Sequence, residues 1–353
     1  MKKIVCIVGP DESYAGGILE VMNQILNYDF HIDDLKIISI RTASRRNKIK
    51  TFFKGLYSFI FFCINNSQKL VHIQLSEGAS IIRTLVIINI SRIFNVKVIL
   101  HSHGGMFYEQ YRNKNRLTKF IINNTFNKAD KILVLTKGWK TIWENIVSKD
   151  KIEILPNGTK INNNFVKKYL YENKLNILFM GNISDFKGVY DLIDAINILR
   201  KEKEFDLILR IAGGGEIEKC RDYIKKCELN DYIELLGWVE GEEKEKLLIL
   251  SDVLVLPSHF ESFGIVAIEA MAYRLPVICG DTGFTKEVII PGKTGIVAKT
   301  SNSEDIAKKI ETFYDEKLLK SYGERAYKHV TSNFAIDRVM LKLRKVYFEL
   351  FQK

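Results

Sequence analysis

Glu261 and Glu269 stand in the stretch Pro257-Ser258-His259-Phe260-Glu261-Ser262-Phe263-Gly264-Ile265-Val266-Ala267-Ile268-Glu269-Ala270-Met271-Ala272. The run Val253–Leu256 reads as a strand that ends at Pro257; a polar turn follows, and a helix is expected to begin near Phe263. The first turn of such a helix offers free backbone N–H groups and a dipole that favours an anion. Glu261 falls in the turn. Glu269 falls inside the helix among Ile265, Val266, Ile268 and Met271, where a solvated face is hard to draw. At a rise of ~1.5 Å per residue the two carboxylates are roughly 10 Å apart, about the span from a nucleotide ribose to a distal sugar. Carboxylates accept readily from paired sugar hydroxyls. The plainer alternative makes Glu261 a helix-terminal charge and Glu269 a surface residue.

Two further constellations follow strands. Gly16-Gly17 comes after the first strand and opens a helix, which suits close backbone approach to a phosphate or an acceptor, or simply a tight turn. His101-Ser102-His103-Gly104-Gly105 ends the strand at Val96–Leu100 and places an imidazole where ligands sit in open parallel sheets; either histidine can also be a satisfied structural residue. Two other matches fail. Pro291-Gly292-Lys293-Thr294 lacks the earlier glycine of a P-loop, because Glu287 stands there, and Gly213-Gly214-Gly215 has Glu218 at the last glycine of a dinucleotide fingerprint.

The elements that position these groups are short apolar runs alternating with helical patterns. Strands are expected near Lys3–Val8, Leu35–Ile40, Leu70–Gln74, Val96–His101, Lys131–Leu135 and Lys151–Ile154. A second series falls near Leu175–Met180, Leu207–Ala212, Tyr232–Leu236, Val253–Leu256, Val277–Cys279 and Gly295–Val297. Near-continuous apolar character is what strands covered on both faces require. Strand-helix alternation twice over predicts two parallel, doubly wound α/β domains joined around Leu155-Pro156-Asn157-Gly158 and the polar stretch Lys160–Lys174.

With these residues in order, the sequence resembles the retaining, nucleotide-sugar-dependent glycosyltransferases of family 4 (group 1 type). The resemblance rests on the paired glutamates together with six other segments in family order. These are Tyr14-Ala15-Gly16-Gly17, Leu155-Pro156-Asn157-Gly158, Phe179-Met180-Gly181 through Lys187-Gly188, Ala212-Gly213-Gly214-Gly215-Glu216, Leu236-Gly237-Trp238-Val239 and Lys293-Thr294-Gly295. It implies a GT-B fold, with two Rossmann-like domains facing a central cleft. Residues 1–165 would bind the acceptor, 166–333 the donor, and a C-terminal helix over 334–353 would cross back to the first domain.

The same resemblance implies the roles. Glu261 would accept hydrogen bonds from the donor sugar and Glu269 from the ribose. The amides of Ser262, Phe263 and Gly264 would face the diphosphate, and Lys187 would neutralise it as it leaves. His103, a better match than His101, would reach the donor sugar from the first domain. The implied catalytic set is His103, Lys187 and Glu261; the donor-binding set is Gly16, Gly17, Asn182, Val239, Glu261, Ser262, Phe263, Gly264 and Glu269. The family usually carries an arginine where this chain has Asn182, so the customary two-cation clamp is altered here. The reaction would move a sugar from a nucleoside diphosphate sugar to an acceptor hydroxyl with retention, the leaving phosphate being a favoured proton acceptor. No Asp-x-Asp stands where a metal would bridge the phosphates, so no metal and no cofactor is expected.

The chain has 353 residues, 46% hydrophobic and 27% charged, which excludes a disordered chain and allows two domains. Five scattered cysteines without a CxxC pair argue against a disulfide scaffold and for a reducing cytosol. The apolar run after Met1 is too short for a signal peptide, and no segment reaches the ~20 apolar residues of a spanning helix. The net charge of +11 is uneven. Residues 1–165 hold 24 Lys+Arg against 12 Asp+Glu, a surplus of 12, whereas the remainder holds 29 against 30. Between Asp34 and Glu77 eight basic residues occur with no acidic one, next to the aromatic run Phe52 to Phe62.

That surplus points to an anionic partner, with the inner face of the cytoplasmic membrane and a lipid-linked or glycan acceptor preferred. A buried core helix behind a solvated basic loop is the alternative for this segment. An epimerase-like or phosphorylase-like relative of the same fold explains the motifs less well. A nucleic-acid-binding protein explains only the charge, and no nucleic-acid motif is visible.

Overall fold

The computed structural model describes residues 3–14, 16–32, 34–65, 68–163, 165, 167, 169, 174–202 and 206–352. Ala15 of the glycine loop and Val166, the first residue of the expected second domain, lie outside the described residues. The chain divides into two compact units, Met1–Gly158 with Asp337–Lys353, and Thr159–Ile336. The first division therefore falls at Gly158/Thr159 rather than 165/166, and the last at Ile336/Asp337 rather than 333/334.

In the first unit β1 (Lys3–Pro10), β2 (Leu35–Ala43), β3 (Gln68–Leu75), β4 (Lys97–Ser102), β5 (Lys131–Val134) and β6 (Ile152–Ile154) form one parallel sheet in the order β2-β1-β3-β4-β5-β6. Val5, Cys6 and Ile7 of β1 and Val98, Ile99 and Leu100 of β4 are fully buried, as central strands covered on both faces must be. Strand order reverses between β1 and β3, which opens a crevice at their carboxyl ends.

Around the sheet run α1 (Gly17–Asn27), α2 (Lys48–Asn65), α3 (Ala79–Ile93), α4 (Phe107–Arg112), α5 (Arg116–Phe126) and α6 (Lys137–Trp143). The α14 helix (Ile336–Gln352) packs here too. Its buried Tyr347 hydroxyl lies 2.8 Å from His72 Nδ1 on β3, and Glu349 pairs with Lys131 on β5.

The second unit repeats the plan with β7 (Lys174–Met180), β8 (Asp206–Ala212), β9 (Ile233–Gly237), β10 (Val253–Leu256), β11 (Val277–Gly280) and β12 (Gly295–Ala298), ordered β12-β11-β10-β7-β8-β9 and parallel throughout. Its helices are α7 (Val189–Glu202), α8 (Ile217–Lys226), α9 (Gly241–Leu250), α10 (Ile265–Ala272), α11 (Thr285–Val288), α12 (Ser303–Glu311) and α13 (Glu316–Asn333). Leu175, Ile177, Phe179, Leu209, Ile211, Val253 and Val255 form the centre of one apolar core. The reversal lies between β7 and β10, so the loops that leave these two strands share a crevice.

Candidate active site

The loop after β7 ends in a single 3-10 turn, Asp185–Lys187, and Gly188. Gly188 has φ +68°, and a Cβ there would lie 2.3 Å from the Pro257 carbonyl oxygen at the end of β10. Only glycine permits that approach, and it brings Lys187 against the loop that carries Glu261. Lys187 Nζ donates to Glu261 Oε2 at 2.6 Å, with both side chains about one quarter exposed. The Glu261 backbone is held from the other side: Phe284 N–H donates to its carbonyl at 2.8 Å. A Cβ on Gly283 would lie 2.5 Å from the same oxygen.

Helix α10 starts at Ile265, two residues later than the sequence pattern indicates, because Gly264 takes the left-handed conformation (φ +82°) and serves as its N-cap. Phe263 is buried with its ring 5.8 Å from that of Phe334, which anchors the turn by its side chain. Ser262 is partly exposed. Glu269 is almost fully buried, and its Oε1 accepts from Lys244 Nζ of α9 at 2.6 Å. Each of the paired glutamates thus holds a lysine.

Lys244 was not legible in the sequence. It stands in the charged run Glu240-Gly241-Glu242-Glu243-Lys244-Glu245-Lys246, where neither spacing nor composition marks one lysine from another. Asn182 is exposed, in a loop stitched to the glycine turn after β8 by Gly181 N–H to Ala212 O at 3.0 Å and Ile183 N–H to Gly214 O at 2.7 Å. Val239 is buried in the β9–α9 connection beside the half-exposed Trp238.

The other candidates belong to the first unit. Gly16, Gly17 and His103 line one cavity of about 440 Å³ at the carboxyl ends of β1 and β3, together with Tyr14, Arg45, Gln74, Glu77 and Arg83. His103 Nε2 lies 2.7 Å from Gln74 Oε1, and its ring centroid is 4.0 Å from that of His101. His101 continues the contact inward, its Nδ1 being 3.3 Å from His72 Nε2. Burial lowers all three imidazoles, His72 and His103 to about 3, so the trio is neutral at pH 7. Nothing in the sequence marks Gln74 and His72, both on β3, since the apolar run of a fully buried strand carries no sign of which polar residues meet a site histidine. Among the described residues no group of three or more His, Cys, Asp and Glu is arranged to hold a metal ion.

Residues 160–329, which carry both glutamates and both lysines, match the family described as "Glycosyl transferases group 1". That match spans just under half of the chain. The chain is 33% identical over 237 residues to an uncharacterized glycosyltransferase of Methanocaldococcus jannaschii, covering 66% of this chain and 63% of that one. It is 28% identical over 221 residues to a Staphylococcus aureus capsular polysaccharide biosynthesis glycosyltransferase, CapM, covering 59% and 58%. The matched stretches span less than two thirds of each relative. The fold is that of the Anabaena protein HepE crystallised in complex with UDP, with a TM-score of 0.78, 15% identity and coverage of 99% and 100%. Two parallel six-stranded sheets of this kind make up the GT-B architecture.

Proposed function

We propose that the protein transfers a sugar from a nucleoside diphosphate sugar to an acceptor hydroxyl with retention at the anomeric carbon, without a metal or cofactor. The observation that carries this reading is the pair of lysine-bound glutamates at the β7/β10 reversal, Lys187–Glu261 and Lys244–Glu269. A nucleoside diphosphate sugar presents hydroxyls at both ends and two phosphates between. Glu261 and Glu269 supply acceptors for the hydroxyls, and Lys187 with the amides of Ser262, Phe263 and Gly264 supplies cationic and dipolar stabilisation for the leaving diphosphate. Positioned donors of this kind act where charge develops, so they lower the barrier rather than merely tighten binding. The UDP in HepE and the capsular role named for CapM favour a UDP-sugar donor and a polysaccharide-precursor acceptor. The first unit is assigned to the acceptor, with His103 reaching the donor sugar, and Gly16 and Gly17 the donor, from that side. The deciding experiment is a panel of UDP- and GDP-sugars scored by thermal stabilisation, then by nucleoside diphosphate release. No stabilisation by any member would refute the reading.

The acceptor is proposed to lie at an anionic membrane surface, reached from the cytoplasmic side. Helix α2 buries Gly55, Phe59, Phe62 and Cys63 while Ile49, Phe53, Tyr57, Phe61 and Ile64 stand more than 60% exposed. The second stripe supports a surface role beside the core contact that the helix also makes. The neighbouring α3 exposes Ile82 and Ile93, and α5, which packs on α3, exposes Leu117, Phe120 and Ile121. Lys48, Lys50 and Lys54 are exposed beside the α2 stripe. Apolar side chains ringed by basic ones suit the boundary between headgroups and acyl chains. No helix among the described residues is long and apolar enough to cross a membrane.

A further inference from the structure

The cavity of the first unit contains two arginines that the reaction scheme above leaves unused. Arg83, in the second turn of α3, and Arg45, just beyond β2, both line it. Three other arginines of this unit are paired: Arg41 with Glu12 at 3.0 Å, Arg92 with Asp130 at 3.3 Å, and Arg112 with Glu109 at 3.9 Å. Among the described residues neither Arg45 nor Arg83 forms an ion pair, although Glu77 lines the same cavity. The Glu77 carboxylate is turned to the loop after β4, where its Oε2 accepts from the Met106 N–H at 3.1 Å.

Arg83 is partly withdrawn from water, which lowers its pKa from the usual guanidinium value, and Tyr14 is its neighbouring ionisable group. The Arg45 guanidinium lies 5.2 Å from the Tyr14 ring centroid. Tyr14 is thus common to the two guanidinium groups. His103, neutral through burial, adds a polar group and no charge. Arg45 is exposed, whereas Arg83 is half-buried, and holding the Arg83 guanidinium partly out of water with no ion-pair partner is costly unless an anion arrives to meet it. The fork of N–H groups on an arginine matches phosphate oxygens better than it matches a sugar hydroxyl.

We infer that this cavity binds a phosphate or diphosphate group of the acceptor, held by Arg45 and Arg83, so that the acceptor is a phosphorylated molecule rather than a neutral glycan. The inference rests on the acceptor role proposed for the first unit. The acceptor hydroxyl would then be presented near His103, with its anionic end fixed toward α3. Either a prenyl-type diphosphate or a soluble phosphate ester can supply this group.

The test uses the full chain saturated with UDP, which fills the donor side and leaves the first unit to report. Titration calorimetry with inorganic pyrophosphate is expected to show saturable binding, weakened about tenfold or more in R83Q and in R45Q, as expected for loss of one charge-assisted contact. Partial recovery in R83K is expected, because a lysine keeps the charge and loses the fork. Geranyl diphosphate binding more tightly than pyrophosphate supports the site and assigns it a lipid-linked acceptor; equal binding supports it and assigns a soluble phosphate ester. The inference is overturned if UDP-loaded protein shows no saturable pyrophosphate binding, or if R45Q/R83Q binds it as well as the unaltered chain. UDP affinity, measured beforehand, separates the two failures: protein that binds no UDP refutes the donor reading, whereas normal UDP binding without a pyrophosphate site refutes only the anion cavity.

Discussion

Lys187 Nζ lies 2.6 Å from Glu261 Oε2, so the cation assigned to the leaving diphosphate and the carboxylate assigned to the sugar hold one another. Glu269 and Lys244 repeat the relationship at the same distance. Such pairs keep each charge compensated until a donor arrives, and an arriving phosphate and sugar must exchange these contacts for their own. With both side chains about a quarter exposed, the Lys187–Glu261 contact adds little to stability; its value is to hold two long side chains near their working positions.

Lys187→Ala is therefore expected to lower kcat by about 100-fold, the usual cost of losing one fixed transition-state donor, with a smaller change in donor KM. Steady-state kinetics on the sugar nucleotide found in the donor panel measures both. A raised KM with kcat preserved would move Lys187 to ground-state binding alone.

Glu269→Gln should leave the melting temperature near that of the parent and reduce kcat/KM by more than about tenfold, because a neutral amide is a weaker acceptor for ribose hydroxyls. Lys244→Met should also weaken donor use through the position of Glu269. The double variant should lose less than the product of the two single losses, as expected for groups in contact. Independent, multiplicative losses would show that Lys244 does not act through Glu269.

Turnover in excess EDTA should equal turnover without it, since Lys187 and the amides of Ser262, Phe263 and Gly264 are proposed to carry the diphosphate charge. Activity abolished by EDTA and restored by Mg²⁺ or Mn²⁺ would overturn metal independence.

The histidine trio predicts a specific acid sensitivity. His72, His101 and His103 have folded-state pKa values lowered by burial, below the unfolded value of 6.5. The unfolded chain therefore binds more protons below pH 6.5. Stability is fully present above that pH and declines as the pH falls toward about 3, by up to about 2 kcal/mol per histidine at pH 5. Urea unfolding midpoints measured from pH 7.5 to pH 5 should fall steadily. A flat profile would mean that these imidazoles are not held neutral.

Liposomes containing phosphatidylglycerol should co-sediment the protein at low salt and release it at high salt, since exposed charges are screened beyond a Debye length. Reversal of Lys48, Lys50 and Lys54 to glutamate, or Phe53→Ser with Phe61→Ser, should reduce that binding, each lysine contributing ~1 kcal/mol near the surface. Binding unaltered in both variants would place the membrane contact elsewhere.

The one-dimensional pattern was enough for the two-sheet plan. Val5 to Val8, Val98 to Leu100 and Val253 to Leu256 are continuous apolar runs, and a strand covered on both faces leaves no other composition possible. Glu269 was equally legible, because a carboxylate surrounded by Ile265, Val266, Ile268 and Met271 has no solvated face to occupy. The α2 segment was readable only in part. The aromatic run looked apolar all round, and only packing against β2 decided that Phe59 and Phe62 go inward while Phe53, Tyr57 and Phe61 stay in solvent.

The partners of the site residues were decided by tertiary structure alone. Lys244 meets Glu269, Lys187 meets Glu261 and Gln74 meets His103 across 25, 74 and 29 residues of chain. Local spacing cannot specify such encounters, because they depend on which strand lies beside which. Parallel pairing sets β7 against β10 and β3 against β4, and that order brings the loops at their carboxyl ends together. The arginines follow the same logic: in the sequence Arg45 and Arg83 are two of many basic residues, and only the reversal between β1 and β3 places both in one cavity.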